Sequence, residues 1–355
     1  MTPQQSTITE VCGGVDTHQD THTAAVIDHV GRVLGTECFP ATPAGYTALL
    51  TWMRAFGPLM LVGVEGTGAY GAGLARLLRN EHVVVVEVDR PGRKTRRFQG
   101  KSDPIDAIAA AKAALAADRT GIPEQRDGRI EALRNLRVAR RSAVDQRADA
   151  QRQIKTLIVT APDDLRQRLR ALPVKELINL CAGLQPDRAD AASPATAAKI
   201  ALRSLARRHQ QLTQEINDLN ELLDPLVAAI NPGLVAANGV GTDVAGQLLV
   251  TAGQNHDRIV SEAAFAMLCG AAPIPASSGK THRHRLNRGG DRQANAALYR
   301  VVLCRLRWDP RTRAYMERRT KEGLSKKEII RCLKRYIARE LYRIIITAND
   351  QDLAA

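Results

Sequence analysis

Over residues 9–120, short apolar runs of strand character take turns with stretches in which apolar side chains recur at helical spacing. Val11–Asp16 predicts a buried strand, followed by a polar turn and a returning strand over Thr23–Ile27. Asp16 therefore stands where the first strand runs out into loop. A third strand is predicted around Val33–Phe39, then a helix near Ala44–Ala55 with Tyr46, Leu49, Leu50 and Met53 on its apolar face. LMLVGVEG (59–66) reads as a continuous buried strand ending at Glu65. A helix over Gly71–Asn80, the strand VVVVEV (83–88) and a helix opened by KSDPIDAIAAAKAALAA complete the segment.

Three antiparallel strands, a helix, a parallel strand, a helix and a parallel strand predict an α/β fold with a mixed sheet, in the element order of the ribonuclease-H-like fold. Beyond it, residues 129–159 predict one long helix carrying Arg134, Arg137, Arg140, Arg141, Arg147 and Arg152. These arginines fit either a solvated helical face or a helix laid on a nucleic-acid backbone. Pro162 and CAGLQPDRADAASPAT (181–196) interrupt the helical pattern. A heptad seam follows: Leu202, His209, Ile216, Leu223 and Ile230 alternate with Leu205, Leu212, Leu219 and Leu226, which predicts an α-helical coiled coil. Its partner is either the arginine-rich helix of the same chain or a second subunit, and a strict seam favours a homo-oligomer. Pro225 is expected to kink or end this helix. From Asn231-Pro232-Gly233 a mostly α-helical C-terminal domain is predicted. It holds a G-x-G turn at 239–241, a loop at 271–295 and basic helices running to Ile346, with a break at Trp308-Asp309-Pro310. The expected division is 1–125, 126–232 and 233–355.

Charge sharpens this picture. The formal net charge is +14, and residues 280–345 hold 20 Lys and Arg against 6 Asp and Glu, so the remainder balances at 31 against 31. A basic block interleaved with Leu, Ile, Val and Tyr points to a folded domain that binds DNA or RNA, rather than to a solubilising surface or a tail on an acidic membrane. No apolar run reaches the ~18–20 residues of a membrane span. The N-terminus does not read as a signal peptide. The six cysteines are scattered without a C-x-x-C pair. Reduced thiols in a cytoplasmic protein are the expectation.

The candidate chemistry begins with four acids. Asp16 and Glu65 end predicted buried strands, where open α/β sheets place their sites. Asp103 and Asp106 open the following helix three residues apart, and so share one face. Alone, Asp-Pro-Ile-Asp reads as a helix start, with Asp103 as N-cap, Pro104 in the first turn and Asp106 at the positive end of the dipole. Four acids at the ends of three neighbouring elements point instead to hard divalent cations, which relieve carboxylate repulsion and assist phosphodiester chemistry. Asp20 and Asp28 are expected to be solvated. His18 and His22 share the turn, with no cysteine or further histidine to complete a zinc set. In AAPIPASSGKTHRHRLNRGGDRQAN, Ser277 and Ser278 lie among Lys280, Arg283, Arg285 and Arg288, with His282 and His284, and Arg292 follows. No partner base is evident, so from the residues alone this loop grips phosphate and its serines donate hydrogen bonds.

Three features together resemble the DEDD insertion-sequence transposases, bridge-RNA-guided recombinases that include the pilin-gene DNA invertases: GVDTHQDTHTAAV, GVEGTGAY with KSDPIDA, and GVG…AAPIPASSGKTHRHRLNRGGDRQANAALYR. The resemblance spans nearly the whole chain in the same order. It implies a RuvC-like N-terminal domain whose tetrad of Asp16, Glu65, Asp103 and Asp106 binds Mg²⁺ (or Mn²⁺), and a coiled coil leading to a C-terminal transposase domain. It further implies Ser278, before the glycine, as nucleophile, with Ser277 beside it. The implied partners are donor and target DNA, a structured guide RNA, and other subunits in a homodimer or homotetramer. The alternatives are a metal-dependent nuclease or junction resolvase that activates water, and a non-catalytic nucleic-acid-binding scaffold.

Overall fold

The computed structural model describes residues 10–89, 102–118, 120–280 and 284–352, the last five in backbone only. Two compact units emerge: Met1–Asp127 with Gly253–Val260, and Gly128–Ala252 with Ser261–Ala355.

The first unit is a mixed six-stranded sheet in the order β3-β2-β1-β4-β5-β6. β1 (Val11–Thr17), β2 (Thr21–Asp28) and β3 (Val33–Pro40) form an antiparallel meander, and β4 (Leu59–Glu65) and β5 (Val84–Val88) add in parallel to β1. The two-residue edge strand β6 (Thr120–Gly121) has no counterpart in the apolar pattern, being too short to show alternation. Helices α1 (Pro43–Arg54) and α2 (Ala72–Asn80) cover one face, where Val15, Val26, Val62 and Val64 pack with Leu49, Met53, Leu74 and Leu78. On the other lies α3 (Asp103–Leu115), whose Ala111 and Ala114 meet Cys12, Ile27 and Val88. Asp28 departs from the solvated expectation. It is buried, and its carboxylate accepts from the backbone N–H of Val30 and Arg32 and from the Arg32 guanidinium, closing the β2–β3 turn at Gly31 (φ +84°). Burial pushes this carboxyl up, but those hydrogen bonds outweigh it and hold it below the usual range. Residues 253–260 join this unit through Asn255, whose amide donates to Pro123 O (3.0 Å) and accepts from Gln125 N–H (3.1 Å).

The second unit is helical. α4 (Gly128–Thr160) and α7 (Pro194–Ile230) pack side by side and antiparallel, so the heptad helix meets the arginine-rich helix of its own chain. The a-row residues Leu202, Ile216 and Leu223 are buried, while Leu205, Leu219 and Leu226 of the d row are half-buried. At one end α5 (Asp163–Leu169) and α6 (Val174–Ala182) close a core of Ile154, Ile158, Leu169, Leu177 and Leu202. α7 runs on past Pro225 to Ile230. Pro225 and Glu221, the residue whose carbonyl the proline cannot serve, are both exposed. The expected break after Ile230 is built by buried Asn231, which caps α8 (Pro232–Ala236) through Leu234 N–H and donates to Ile344 O. α9 (Thr242–Ala252), α10 (Glu262–Leu268), α11 (Arg292–Trp308), α12 (Pro310–Lys321) and α13 (Lys326–Asp352) form the rest. The break at Asp309 is present, with its carboxylate accepting from Thr312 N–H as N-cap.

Candidate active-site residues

The acidic residues of the first unit are positioned by how closely α3 lies on the sheet. A strand alternates faces, so Cys12, Gly14 and Asp16 of β1 look the same way, as do Leu61, Gly63 and Glu65 of β4. That way is towards α3. A β-carbon at Gly14 would stand 2.1 Å from Ala111 N and 2.3 Å from Ala107 O, one at Gly63 would stand 2.7 Å from Ala110 O, and Cys12 Sγ donates to Ala111 O at 3.5 Å. With glycine at both crossings and alanine on the helix, α3 lies flush. Its N-terminal turn, bearing Asp103 and Asp106, then falls at the carboxyl ends of β1 and β4.

There Asp16, Glu65 and Asp106 are buried at 5%, 6% and 4% exposure, and the Asp103 side chain is about half exposed. Thr17 Oγ1 donates to Glu65 O at 2.8 Å, and Gly66 (φ +68°) turns the chain sharply after the acid. Burial pushes the Asp16 carboxyl above its usual range. Nearby Asp106 and Asp103 push the same way, and His18 opposes them. Crowded, partly desolvated carboxylates of this kind suit a divalent cation, which the oxygen-rich donor set would hold. Among the described residues, the donor atoms gathered within 4.8 Å of one another belong to Asp16, His18 and Asp103. Glu65 and Asp106 flank this group without being part of it.

Two expectations change here. The N-cap of α3 is Ser102 rather than Asp103, which is already inside the helix with its carboxylate 3.4 Å from His18 Nε2. His18 and His22 also part company. His22 is fully buried, with Nδ1 on Thr21 O and its ring stacked on Tyr46 at 5.3 Å, whereas His18 joins the acids. In the sequence, His18 reads only as half of a zinc pair with His22. The available signal was its place two residues beyond Asp16, in the turn that a β1–β2 hairpin folds back over the strand end.

In the second unit, Ser277 and Ser278 are exposed in a loop carried by a two-stranded hairpin, β7 (Ile274–Pro275) with β8 (His284–Arg285). Gly279 follows in a left-handed conformation (φ +54°), and a β-carbon there would meet nothing within 4 Å among the described residues. Lys280, Arg285, Arg288 and Arg292 are exposed around this hairpin, and Arg283 and His282 lie outside the described residues. The base of the loop is clamped. Asp291 caps α11 and accepts from Thr251 Oγ1 (2.6 Å), while Asn295 donates to Cys269 O and Gly270 O and accepts from Lys334 Nζ.

The arginines of α4 have mostly internal partners. Arg137 and Arg140 both reach Asp243 Oδ1 at 3.1 Å, where Arg300 also binds, and Arg134 pairs with Glu131, Arg141 with Asp145 and Arg152 with Asp149. No helix among the described residues is long and apolar enough to cross a membrane.

Residues 13–161 match a family model for DEDD transposases of the IS110 type, described as Transposase, and residues 234–317 match one described as Transposase IS116/IS110/IS902 family. Over 121 residues the chain is 32% identical to an "Insertion element IS110 uncharacterized 43.6 kDa protein" of Streptomyces coelicolor. The match spans 34% of this chain and 29% of that relative.

Proposed function

The chain belongs to the DEDD insertion-sequence transposase family, and from that membership we propose that it is a site-specific DNA recombinase that cuts and rejoins DNA through a serine–phosphodiester link. The first unit is read as a RuvC-like domain, residues 126–232 as a coiled-coil region and residues 233–355 as the transposase domain. Asp16, Glu65, Asp103 and Asp106 hold Mg²⁺, or Mn²⁺ in its place. A divalent cation there would supply charge stabilisation to a phosphate whose bonds are changing.

The chain's own groups do the rest. Ser278 Oγ bonds to phosphorus as a DNA strand bond breaks, and a DNA hydroxyl later displaces the serine, so phosphoester bonds are conserved and no outside energy source is needed. Lys280, Arg283, Arg285, Arg288 and Arg292 neutralise phosphates around it. Donor and target DNA are the substrates, a structured bridge RNA pairs with both, and the working particle is a homodimer or homotetramer. The observation that carries the reading is the meeting of Asp16 and Asp103, with Glu65 and Asp106 beside them, where α3 crosses the ends of β1 and β4.

The test is a covalent-adduct assay with Ser278→Ala and Ser277→Ala on DNA carrying the element's ends. A recombinase of this kind loses its protein–DNA adduct with Ser278→Ala and keeps it with Ser277→Ala. Retention of strand cutting by Ser278→Ala, without adduct, would favour a nuclease that activates water at the acids.

A further inference from the structure

We infer that His18 is a fifth donor at the acidic site, an imidazole nitrogen that tilts the site towards a transition-metal divalent ion such as Mn²⁺ over Mg²⁺. The inference rests on the proposed metal-holding role of the acids.

The backbone places the ring. His18 N–H donates to Thr21 O at 3.0 Å, so the turn between β1 and β2 is closed at His18 itself. From there the side chain returns over the strand end to Asp16. Nε2 lies 3.2 Å from Asp16 Oδ2 and 3.4 Å from Asp103 Oδ1. Although the side chain is 46% exposed, Nε2 itself is shielded from solvent and faces the two carboxylate oxygens. A ring nitrogen held between two carboxylates serves either as a protonated counter-charge or as a donor to a cation shared with them.

The spacing fits the second use. Donors at neighbouring corners of an octahedron with bonds of ~2.1 Å stand ~3.0 Å apart, close to both separations here. The two carboxylate oxygens and the imidazole nitrogen, within 4.8 Å of one another, are close enough for one cation to take all three as donors. A protonated ring serving as a counter-charge for the two acids is the competing use, and it would give no nitrogen coupling to a bound ion. Mg²⁺ is a hard ion that prefers oxygen throughout, whereas an imidazole strengthens binding along the transition-metal series. The lack of a cysteine or second histidine in the group sets it apart from a structural zinc site.

The experiment is a Mn²⁺ titration of the full chain without nucleic acid, followed by spin-echo detection of nitrogen coupled to the bound ion. Mg²⁺ affinity is obtained by competition. Wild type is expected to show a nitrogen coupling. His18→Ala should lose that coupling and bind Mn²⁺ about tenfold more weakly, while Mg²⁺ affinity changes by no more than about twofold. His18→Gln, which keeps a polar side chain in an exposed turn, should also bind Mn²⁺ without the nitrogen signal. Persistence of the signal and affinity in His18→Ala, or tighter binding, with binding lost in Asp16→Asn, overturns the role of His18 and leaves the acidic site standing. Undiminished Mn²⁺ binding in Asp16→Asn overturns the metal centre and, with it, the inference.

Discussion

Gly14 of β1 lies directly beneath Ala111 of α3, so close that a β-carbon added to the glycine would stand 2.1 Å from the alanine's amide nitrogen. The neighbouring atoms are helix backbone and cannot swing aside, so Gly14→Ala must lift α3 and carry Asp103 and Asp106 away from Asp16. The expected cost is about 2–4 kcal/mol of stability in chemical denaturation. Stabilisation of the fold by Mn²⁺ or Mg²⁺ should disappear with it. Gly121→Ala, where an added β-carbon meets nothing within 4 Å among the described residues, should leave both unchanged.

Asp243 gathers Arg137, Arg140 and Arg300 around one carboxylate. Burial pushes its carboxyl up, but the three guanidinium groups more than offset this and hold it below the usual carboxylate range. A carboxylate depressed in this way adds stability above its unfolded-state value, and that stability is lost as pH falls through the folded-state value. Asp243→Asn should therefore cost about 2–4 kcal/mol near neutral pH, because it leaves clustered cations uncompensated. The gap to wild type should close in denaturation curves taken at pH values under the ordinary carboxylate range.

What could be read beforehand follows from the range of the interactions. Asp16 and Glu65 are legible because a buried strand shows as an apolar run and the acid marks its end. The heptad leucines are legible for the same reason, since their spacing is local. The contacts of Gly14 with Ala111 and of Gly63 with Ala110 span 97 and 47 residues of chain, and a glycine in a strand does not say what approaches it. Arg137 and Arg140 of α4 could be counted but not assigned, because their partner Asp243 lies on another helix about a hundred residues away. Asp28 seemed a surface acid for want of a signal that its own turn would fold onto it. His209, at an a position, is half-buried, and both burial and Arg147 hold its ring below the usual histidine range, so it sits in the seam as a neutral polar group.

A β-carbon added to Gly279, behind the serine pair, would meet nothing within 4 Å among the described residues, so the penalty expected on replacing it comes from its φ of +54°. Gly279→Ala should cost ~1 kcal/mol and slow adduct formation several-fold, and Gly279→Asn should cost less, since asparagine tolerates the left-handed region. Rates of adduct formation with both variants decide the point.

Lys280, Arg285, Arg288 and Arg292 are exposed, whereas Arg137 and Arg140 are spent on Asp243. Alanine at any one of the first set should leave the melting temperature alone and reduce the slope of log affinity against log salt by roughly 0.7–0.9 for DNA or RNA. Arg137→Ala should lower the melting temperature and leave that slope intact. Binding titrations across a salt series, beside thermal melts, separate the two sets.

The first unit claims residues 253–260, through the amide of Asn255 on Pro123 and Gln125, although 125 residues of the helical unit intervene. The polypeptide thus changes unit three times, at 127/128, 252/253 and 260/261. The two halves are not modules that a single cut can separate. A gene fragment ending at Asp127 would encode the whole sheet but lack the strap that completes it, and a helical fragment beginning at Gly128 would carry that strap with nothing to bind. Exchange of parts between related elements can preserve both units only if it transfers the short strap together with the sheet.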